Sequence, residues 1–91
     1  MRFEWNEAKR LANIEKHGID FADVPAMFDG DILSIEDQRF EYDETRYIAF
    51  GLVKFRVIAV AHTDEADVIR IISARKATRN EEKLYFEAIG Y

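Results

Sequence analysis

Three apolar stretches that follow one another closely decide the fold: residues 46–53 (RYIAFGLV), 56–62 (RVIAVAH) and 68–74 (VIRIISA). Their apolar side chains alternate with a period of two or fill the stretch, which is typical of half-buried and buried β-strands. Lys54-Phe55 can form a tight hairpin, and residues 63–67 a five-residue loop. Connections this short leave no room for crossover helices, so we predict consecutive antiparallel strands.

Weaker patterns on either side of these strands predict an α+β fold. Residues 31–37 (DILSIED) alternate weakly and predict a fourth strand, joined to the next by a polar loop, and residues 2–5 (RFEW) can add a fifth strand at the edge. Three further stretches combine apolar residues at helical spacing with capping residues at their ends: 6–17, 20–30 and 79–89. We therefore predict an antiparallel sheet of four or five strands, packed against N-terminal helices and a C-terminal helix.

Length and composition exclude several classes of protein. A chain of 91 residues is expected to form a single domain over residues 1–91. It has no cysteine, and its two histidines have no metal-ligand spacing, so we predict no disulfide, no metal and no cofactor. No stretch approaches the ~20 apolar residues of a membrane span, and the charged N-terminus does not resemble a signal peptide. We expect a cytoplasmic protein without a membrane partner.

The charges are distributed unevenly along the chain. The net charge is −5, but residues 20–44 hold nine acids against Arg39 alone, and the remainder of the chain sums to +3. If the fold separates these parts, one face attracts a polyanion while the other repels it or recruits a basic protein. Two solvated charge clusters without a function remain the alternative.

Candidate functional residues are cations on the last strand and around the ends of two helices. Arg70 stands in an almost wholly apolar run, where it must find a carboxylate, a phosphate or solvent. Arg75, Lys76 and Arg79 lie where this strand leads into the last helix, and cations beside a helix N-terminus suit phosphate. His17 ends the first helix and is either a general acid or base or a capping cation.

Four segments of the chain together resemble the BrnT family of toxins: 3–9 (FEWNEAK), 16–21 (KHGIDF), 42–46 (YDETR) and 69–82 (IRIISARKATRNEE). The resemblance implies a RelE-like fold and a ribonuclease toxin of a type II toxin-antitoxin pair, which cleaves RNA and arrests growth. It also implies a hetero-oligomer with a cognate BrnA-type antitoxin, and contact with DNA only through that antitoxin. RNA chemistry of this kind needs no metal.

On this resemblance, the 2′-OH of RNA attacks the neighbouring phosphate, whose extra charge must be stabilised in the transition state. We predict that Arg46, Arg70 and Arg75 clamp the phosphate. His17 or Glu44 moves protons. Lys16, Lys76 and Arg79 bind flanking phosphates.

Three other interpretations stay open at the level of sequence. A binding module can use the same basic edge to grip RNA or a phosphorylated partner without breaking a bond. A structural subunit would instead pair its arginines internally, namely Arg70, Arg75 and Arg79 with Glu44, Glu81 and Glu82. A small-molecule enzyme is the least favoured, because no motif supports it.

Overall fold

The computed structural model describes residues 1–39 and 41–90. The strands are β1 (Arg2–Glu4), β2 (Leu33–Glu36), β3 (Tyr47–Val53), β4 (Arg56–Glu65) and β5 (Val68–Lys76). The helices are α1 (Glu7–His17), α2 (Val24–Met27), which a 3-10 turn over Phe21–Asp23 precedes, and α3 (Arg79–Ala88). None of the helices in the described residues is long and apolar enough to cross a membrane.

The five strands form one mixed sheet in the order β1-β5-β4-β3-β2. The predicted antiparallel arrangement is confirmed for β2 to β5. It is wrong for the edge strand, because β1 runs parallel to β5, with Arg2 beside Val68 and Glu4 beside Arg70. Periodicity indicates a strand but not its neighbour, and the long stretch of chain between β1 and β5 allows these two strands to run parallel.

Two tight hairpins join the three long strands. Lys54 and Phe55 have φ angles of 51° and 68°, and the predicted turn is confirmed. Ala66 and Asp67 also have positive φ angles, 51° and 63°, as two-residue hairpins of this kind require. The predicted five-residue loop over 63–67 is therefore wrong, because β4 continues to Glu65.

A β-bulge at Ile72 changes which side chains of β5 share a face. The strand pairs on either side of it skip this residue. Strict alternation would place Arg70 and Arg75 on opposite faces, but the extra residue brings them to the same one. The buried face shows the same effect. Ile71 and Ala74 lie three positions apart, which would put them on opposite faces of a regular strand, but both belong to one apolar cluster.

The helical segment after α1 covers one face of the sheet. Its apolar side chains and those of the strands form a single buried cluster: Ile19, Phe21, Val24, Met27, Ala49, Val53, Ile58, Val60, Ile69, Ile71 and Ala74. The packing is close enough at Gly51 that a Cβ there would collide with Met27. Burial of this cluster removes apolar side chains from water and thereby stabilises the packing of these helical segments on the sheet.

Helix α3 covers only part of the opposite face. Tyr85 is buried against Phe50, Val57 and Ala59, and its hydroxyl donates a 2.7 Å hydrogen bond to the carbonyl of Asp31. The capping box that was predicted at the start of this helix is confirmed. The part of this face that lies beyond α3 is open, and the candidate arginines lie on it.

Asn13 ties α1 to the edge of β5 beyond the end of β1. Its side-chain amide donates to the carbonyl of Ala74 at 2.8 Å, and its amide oxygen accepts from the N–H of the same residue at 3.1 Å. Asn13 is buried, so these bonds satisfy backbone groups that would otherwise be unpaired away from water.

Candidate functional site

The register of the sheet aligns two arginines on the open face. Tyr47 pairs with His62, so the preceding Arg46 lies beside Thr63, which in turn pairs with Arg70. We call these three residues the arginine row: Arg46 just before β3, Thr63 on β4 and Arg70 on β5. The side chain of Arg70 is 41% exposed, so a substrate can reach it from the open face.

Glu44 joins the two arginines of this row through one oxygen atom. Its Oε1 accepts a hydrogen bond of 2.9 Å from Arg70 Nη2 and one of 3.2 Å from Arg46 Nε. Its Oε2 accepts none from the described residues. The guanidinium of Arg46 also lies over the ring of Tyr42, with Cζ 4.0 Å from the ring centroid. Arg46 is thus held on two sides.

The charge state of Glu44 follows from these contacts. Partial burial raises the pKa of its carboxyl, but the hydrogen bonds from Arg70 and Arg46 outweigh burial, and the pKa lies below its ordinary value of 4.5. Glu44 is therefore ionised near neutral pH, and its Oε1 binds two cations while its Oε2 has no partner among the described residues.

Two cavities flank Arg70, with volumes of about 360 and 410 Å³. Three cations and three carboxylates line them: Arg2, Lys9, Arg70, Glu4, Glu44 and Glu65. Their formal charges cancel, so this part of the surface repels an anionic ligand less than the whole chain does, whose net charge is −5.

Arg75 lies on the same face but in different surroundings. Its Nη1 and Nη2 donate to the two carboxylate oxygens of Glu81 at 2.8 and 2.9 Å. Glu81 also accepts from the N–H of Thr78, and the hydrogen bond from Arg75 is the main reason that its pKa falls to about 2. No hydrogen bond joins Arg75 to Arg46, Arg70 or Glu44 within the described part of the chain.

A third cavity, of about 240 Å³, lies between Arg75 and the end of β2. We call it the Ile35 cavity. Ile35, Ile48 and Phe50 contribute its apolar lining, and Arg39 contributes a second guanidinium. Three carboxylates complete the lining: Glu36, Asp37 and Glu81.

The other predicted site residues lie apart from the arginine row. His17 and Lys16 are exposed at the end of α1, and Lys76 and Arg79 are exposed around the start of α3. None of the four side chains makes a hydrogen bond or ion pair with residues 1–39 or 41–90. The capping box takes up the N–H groups of Thr78 and Glu81, which lessens the predicted attraction of phosphate to this helix end.

His62 lies on the buried side of the sheet. It stacks on Tyr47, with ring centroids 5.7 Å apart, and packs edge-on against Phe28. Its Nδ1 lies 3.0 Å from the carbonyl of Thr63, and its Nε2 is buried without a partner among the described residues. Burial lowers the pKa of His62, so this imidazole is a neutral part of the core.

A family comparison matches residues 5–81, which cover most of the chain and all of the arginine row. The matching family is the ribonuclease toxin BrnT of type II toxin-antitoxin systems. The chain belongs to the BrnT family. Membership of a type II system implies that an antitoxin partner exists. No curated protein matches the chain.

The contacts of the arginines agree only in part with the interpretation of this BrnT chain as a purely structural subunit. Arg75 makes the bidentate pair with Glu81 that this interpretation requires. Arg70 reaches Glu44 through a single nitrogen atom beside two open cavities, and Arg79 makes no ion pair within the described residues. The arrangement at Arg70 therefore leaves room for a ligand.

Sequence reasoning missed two contributors to the arginine row of this BrnT chain. Thr63 was assigned to a predicted loop, whereas β4 extends to Glu65 and places Thr63 between Arg46 and Arg70. Tyr42 appeared only within a matched segment, although a tyrosine four residues before Arg46 is a signal for a cation–π contact. Both depend on the path of the chain rather than on local periodicity.

Proposed function

We propose that this BrnT chain is an endoribonuclease that cleaves RNA without a metal ion, through attack of a 2′-OH on the adjacent phosphate. The observation that carries the proposal is the carboxylate of Glu44, which two guanidiniums hold on an open sheet face while one of its oxygens is free. A helix-covered sheet with its other face partly open is compatible with the RelE-like fold that the resemblance implies.

Each group of the arginine row has a role in this reaction. Oε2 of Glu44 accepts the proton of the 2′-OH, and the new bond forms between the 2′-oxygen and phosphorus. Arg46 and Arg70 hold the phosphate and stabilise the additional negative charge of the pentacoordinate transition state. The bond to the 5′-oxygen then breaks, and this oxygen takes a proton from water. The products are a 2′,3′-cyclic phosphate and a 5′-hydroxyl.

We assign the proton transfer to Glu44 rather than to His17, because Glu44 contacts both arginines. Arg75 lies in another cavity, where Glu81 binds both of its terminal nitrogens, so we leave it outside the phosphate clamp. Lys16, Lys76 and Arg79 remain proposed contacts for phosphates further along the RNA, since their side chains are exposed.

Induced expression in a bacterium, followed by incubation of the purified chain with RNA, tests the proposal. We expect growth arrest and fragmented RNA, and cleavage in vitro that persists in EDTA and gives cyclic phosphate ends. Replacing the 2′-OH at a mapped cleavage site by hydrogen should abolish cutting there. RNA that is bound but remains intact would instead support the non-catalytic binding module.

The acidic part of the chain supports a second proposal, which concerns the antitoxin. Four of the nine acids in 20–44 form ion pairs within the chain, to Arg10, Lys54, Arg39 and Arg70. The other five make no ion pair with described residues: Asp29, Asp31, Glu36, Glu41 and Asp43. We call these five the acidic surface; they lie before the edge strand β2, at its last residue and after it.

We propose that a basic segment of a BrnA-type antitoxin binds the acidic surface, and that the antitoxin alone brings the pair to DNA. Such an interface should weaken as salt screens it. The affinity should fall as NaCl rises from about 0.05 to 0.5 M, and Asp29→Asn with Asp31→Asn should lessen that dependence. An affinity that does not vary with salt would contradict this proposal, and tight promoter binding by the toxin alone would contradict the DNA assignment.

A further inference from the structure

The edge strand β2 has no strand neighbour on its outer side among the described residues. The N–H of Asp37, just after β2, donates to the carbonyl of Arg46 at 2.8 Å. Backbone groups of an antiparallel strand point to alternate sides, so Ile35 also faces β3, whereas Ser34 and Glu36 turn their N–H and C=O groups outward. Both residues are exposed, and these outward groups make no hydrogen bond with described residues.

The side chains around this edge offer both apolar and charged contacts. Ile35 is 48% exposed on the open face and lines the Ile35 cavity together with Ile48 and Phe50. The acidic surface lies along the same edge, because its residues precede, end and follow β2. An extended segment with an apolar side chain beside Ile35 and basic side chains around it therefore fits this edge.

We infer that an extended basic segment of the antitoxin adds to the outer edge of β2 as a sixth strand. This inference rests on the proposed contact between the antitoxin and the acidic surface, and it specifies how that contact is made. Strand addition takes its affinity from main-chain hydrogen bonds and its specificity from pockets for alternate side chains. The Ile35 cavity is such a pocket, because the residue opposite Ile35 on an added strand points to the same face.

The charge of this edge disfavours a second copy of the chain as the occupant. Two β2 edges that paired with each other would bring two acidic surfaces together, and like charges across an interface repel. Charged residues commonly protect the edges of sheets from self-association in this way. A basic segment reverses the sign of the interaction, so the carboxylates that keep two copies apart attract the antitoxin.

The added strand would lie close to the arginine row. Arg46 is next to Asp37 across the β2–β3 ladder, and the added strand is the following neighbour. Strands are about 4.8 Å apart, so two spacings place it roughly 10 Å from Arg46. A cavity of about 540 Å³ on this side of Arg46 is lined by five carboxylates: Glu36, Asp37, Glu41, Asp43 and Glu44. A basic segment that continues from the added strand into this cavity obstructs the access of RNA to the row.

Amide hydrogen exchange tests the added strand, measured by NMR on the free chain and on its co-purified complex with the cognate BrnA-type antitoxin. In the free chain, the outward amides of Ser34 and Glu36 should exchange rapidly, whereas the amide of Ile35 is bonded to β3 and exchanges slowly. In the complex, the two outward amides should slow by about tenfold or more. Outward amides that stay fast in the complex would overturn the inference, because contact through side chains alone leaves them open to solvent.

Ser34→Pro tests the same hydrogen bonds by mutation. Proline removes the outward N–H but leaves the bonds to β3 in place, as it can on an edge strand. The affinity for the antitoxin should fall by about tenfold or more, whereas the matched control Ser34→Ala keeps the amide and should stay within about threefold of wild type. Equal affinities of the two folded variants would contradict the added strand. If the proline variant does not fold, amide exchange in the wild-type complex still decides.

The dependence of binding on salt separates this inference from the proposal on which it rests. Slowed exchange at Ser34 and Glu36, with an affinity that does not vary with NaCl, would keep the added strand and contradict the role of the acidic surface. Salt-dependent binding without slowed exchange would overturn the added strand and keep the acidic surface. An antitoxin that does not bind the folded chain at all would contradict both.

Discussion

Two arginine–carboxylate arrangements lie on the same sheet face and differ in what they leave free. Arg75 and Glu81 meet through two pairs of atoms, and Glu81 also completes the cap of α3. Glu44 meets Arg46 and Arg70 through one oxygen only, beside open cavities. The first arrangement mainly builds structure, whereas the second keeps an acceptor and several N–H groups for a substrate. Unused atoms, rather than the number of arginines, distinguish the candidate reaction centre.

Glu44→Gln should break this distinction most severely. The amide keeps the shape of the side chain but cannot take the proton of the 2′-OH, so we expect cleavage to slow by about 10²- to 10⁴-fold. Single-turnover cleavage of a defined RNA measures the effect. Because the pKa of Glu44 lies below 4.5, the wild-type rate should fall only below about pH 4.5. A Glu44→Gln variant that keeps its rate, together with loss of cleavage in His17→Gln, would assign the proton transfer to His17 instead.

Arg70→Ala should have the next largest effect, because it removes donors that stabilise the charge of the transition state. We expect the rate constant for cleavage to fall by about 10²- to 10³-fold with the fold intact. Arg56→Ala is the matched control, since Arg56 is exposed at the start of β4, seven residues from Thr63, or roughly 23 Å along the strand. Equal losses in both variants would show that only overall charge matters.

Arg75→Ala should affect stability more than total cleavage. The change removes a bidentate pair but leaves Glu81 in the capping box, so the free energy of unfolding should fall by about 1 kcal/mol. Cleavage of RNA should stay within tenfold of wild type, because Arg75 makes no contact with Glu44, Arg46 or Arg70 within the described residues. Thermal or denaturant unfolding measures the first quantity. Loss of all cleavage from a folded variant would return Arg75 to the reaction centre.

The acid dependence of stability should show the smallest difference between the two arrangements. The pKa of Glu81 is about 2 in the folded chain against an ordinary 4.5, so its contribution is present above pH 4.5 and is lost as the pH falls towards 2. Glu81→Gln should therefore flatten the decline in unfolding free energy between pH 5 and 3. Burial lowers the pKa of His62, and the resulting acid dependence is the same in the wild-type chain and in the variant. Parallel pH curves would contradict the prediction.

Local signals in the sequence predicted the turn at Lys54-Phe55, both ends of α1 and the start of α3. Asn6 caps α1, Gly18 ends it with a φ of 70°, and the Thr78–Glu81 capping box is present. These features depend on residues a few positions apart, whose chemistry is legible in the chain. The second predicted helix, over 20–30, instead divides into a 3-10 turn and the short α2. Packing on the sheet determines where this segment is helical, and the spacing of apolar residues does not reveal that packing.

The candidate site was predictable only where its residues lie on regular strands or beside them. Arg46, Arg70 and Glu44 were all proposed from sequence, and the structure brings them into contact. Alternation could not reveal that Arg75 shares their face, because the bulge at Ile72 reverses the parity of β5. A bulge depends on how two strands fit, so no single stretch of sequence encodes it.

The contact between Asn13 and Ala74 spans 61 positions and has a consequence for the order of assembly. Contacts this distant along a chain are slow to form, because a long loop must close before they stabilise anything. During synthesis on the ribosome, α1 and β1 therefore wait for β5, the last strand to emerge. Arg70 arrives on that same strand. A nascent chain that ends before Arg70 thus contains Glu44 and Arg46 but no assembled arginine row, and the proposed nuclease becomes active only after β5 has been synthesised.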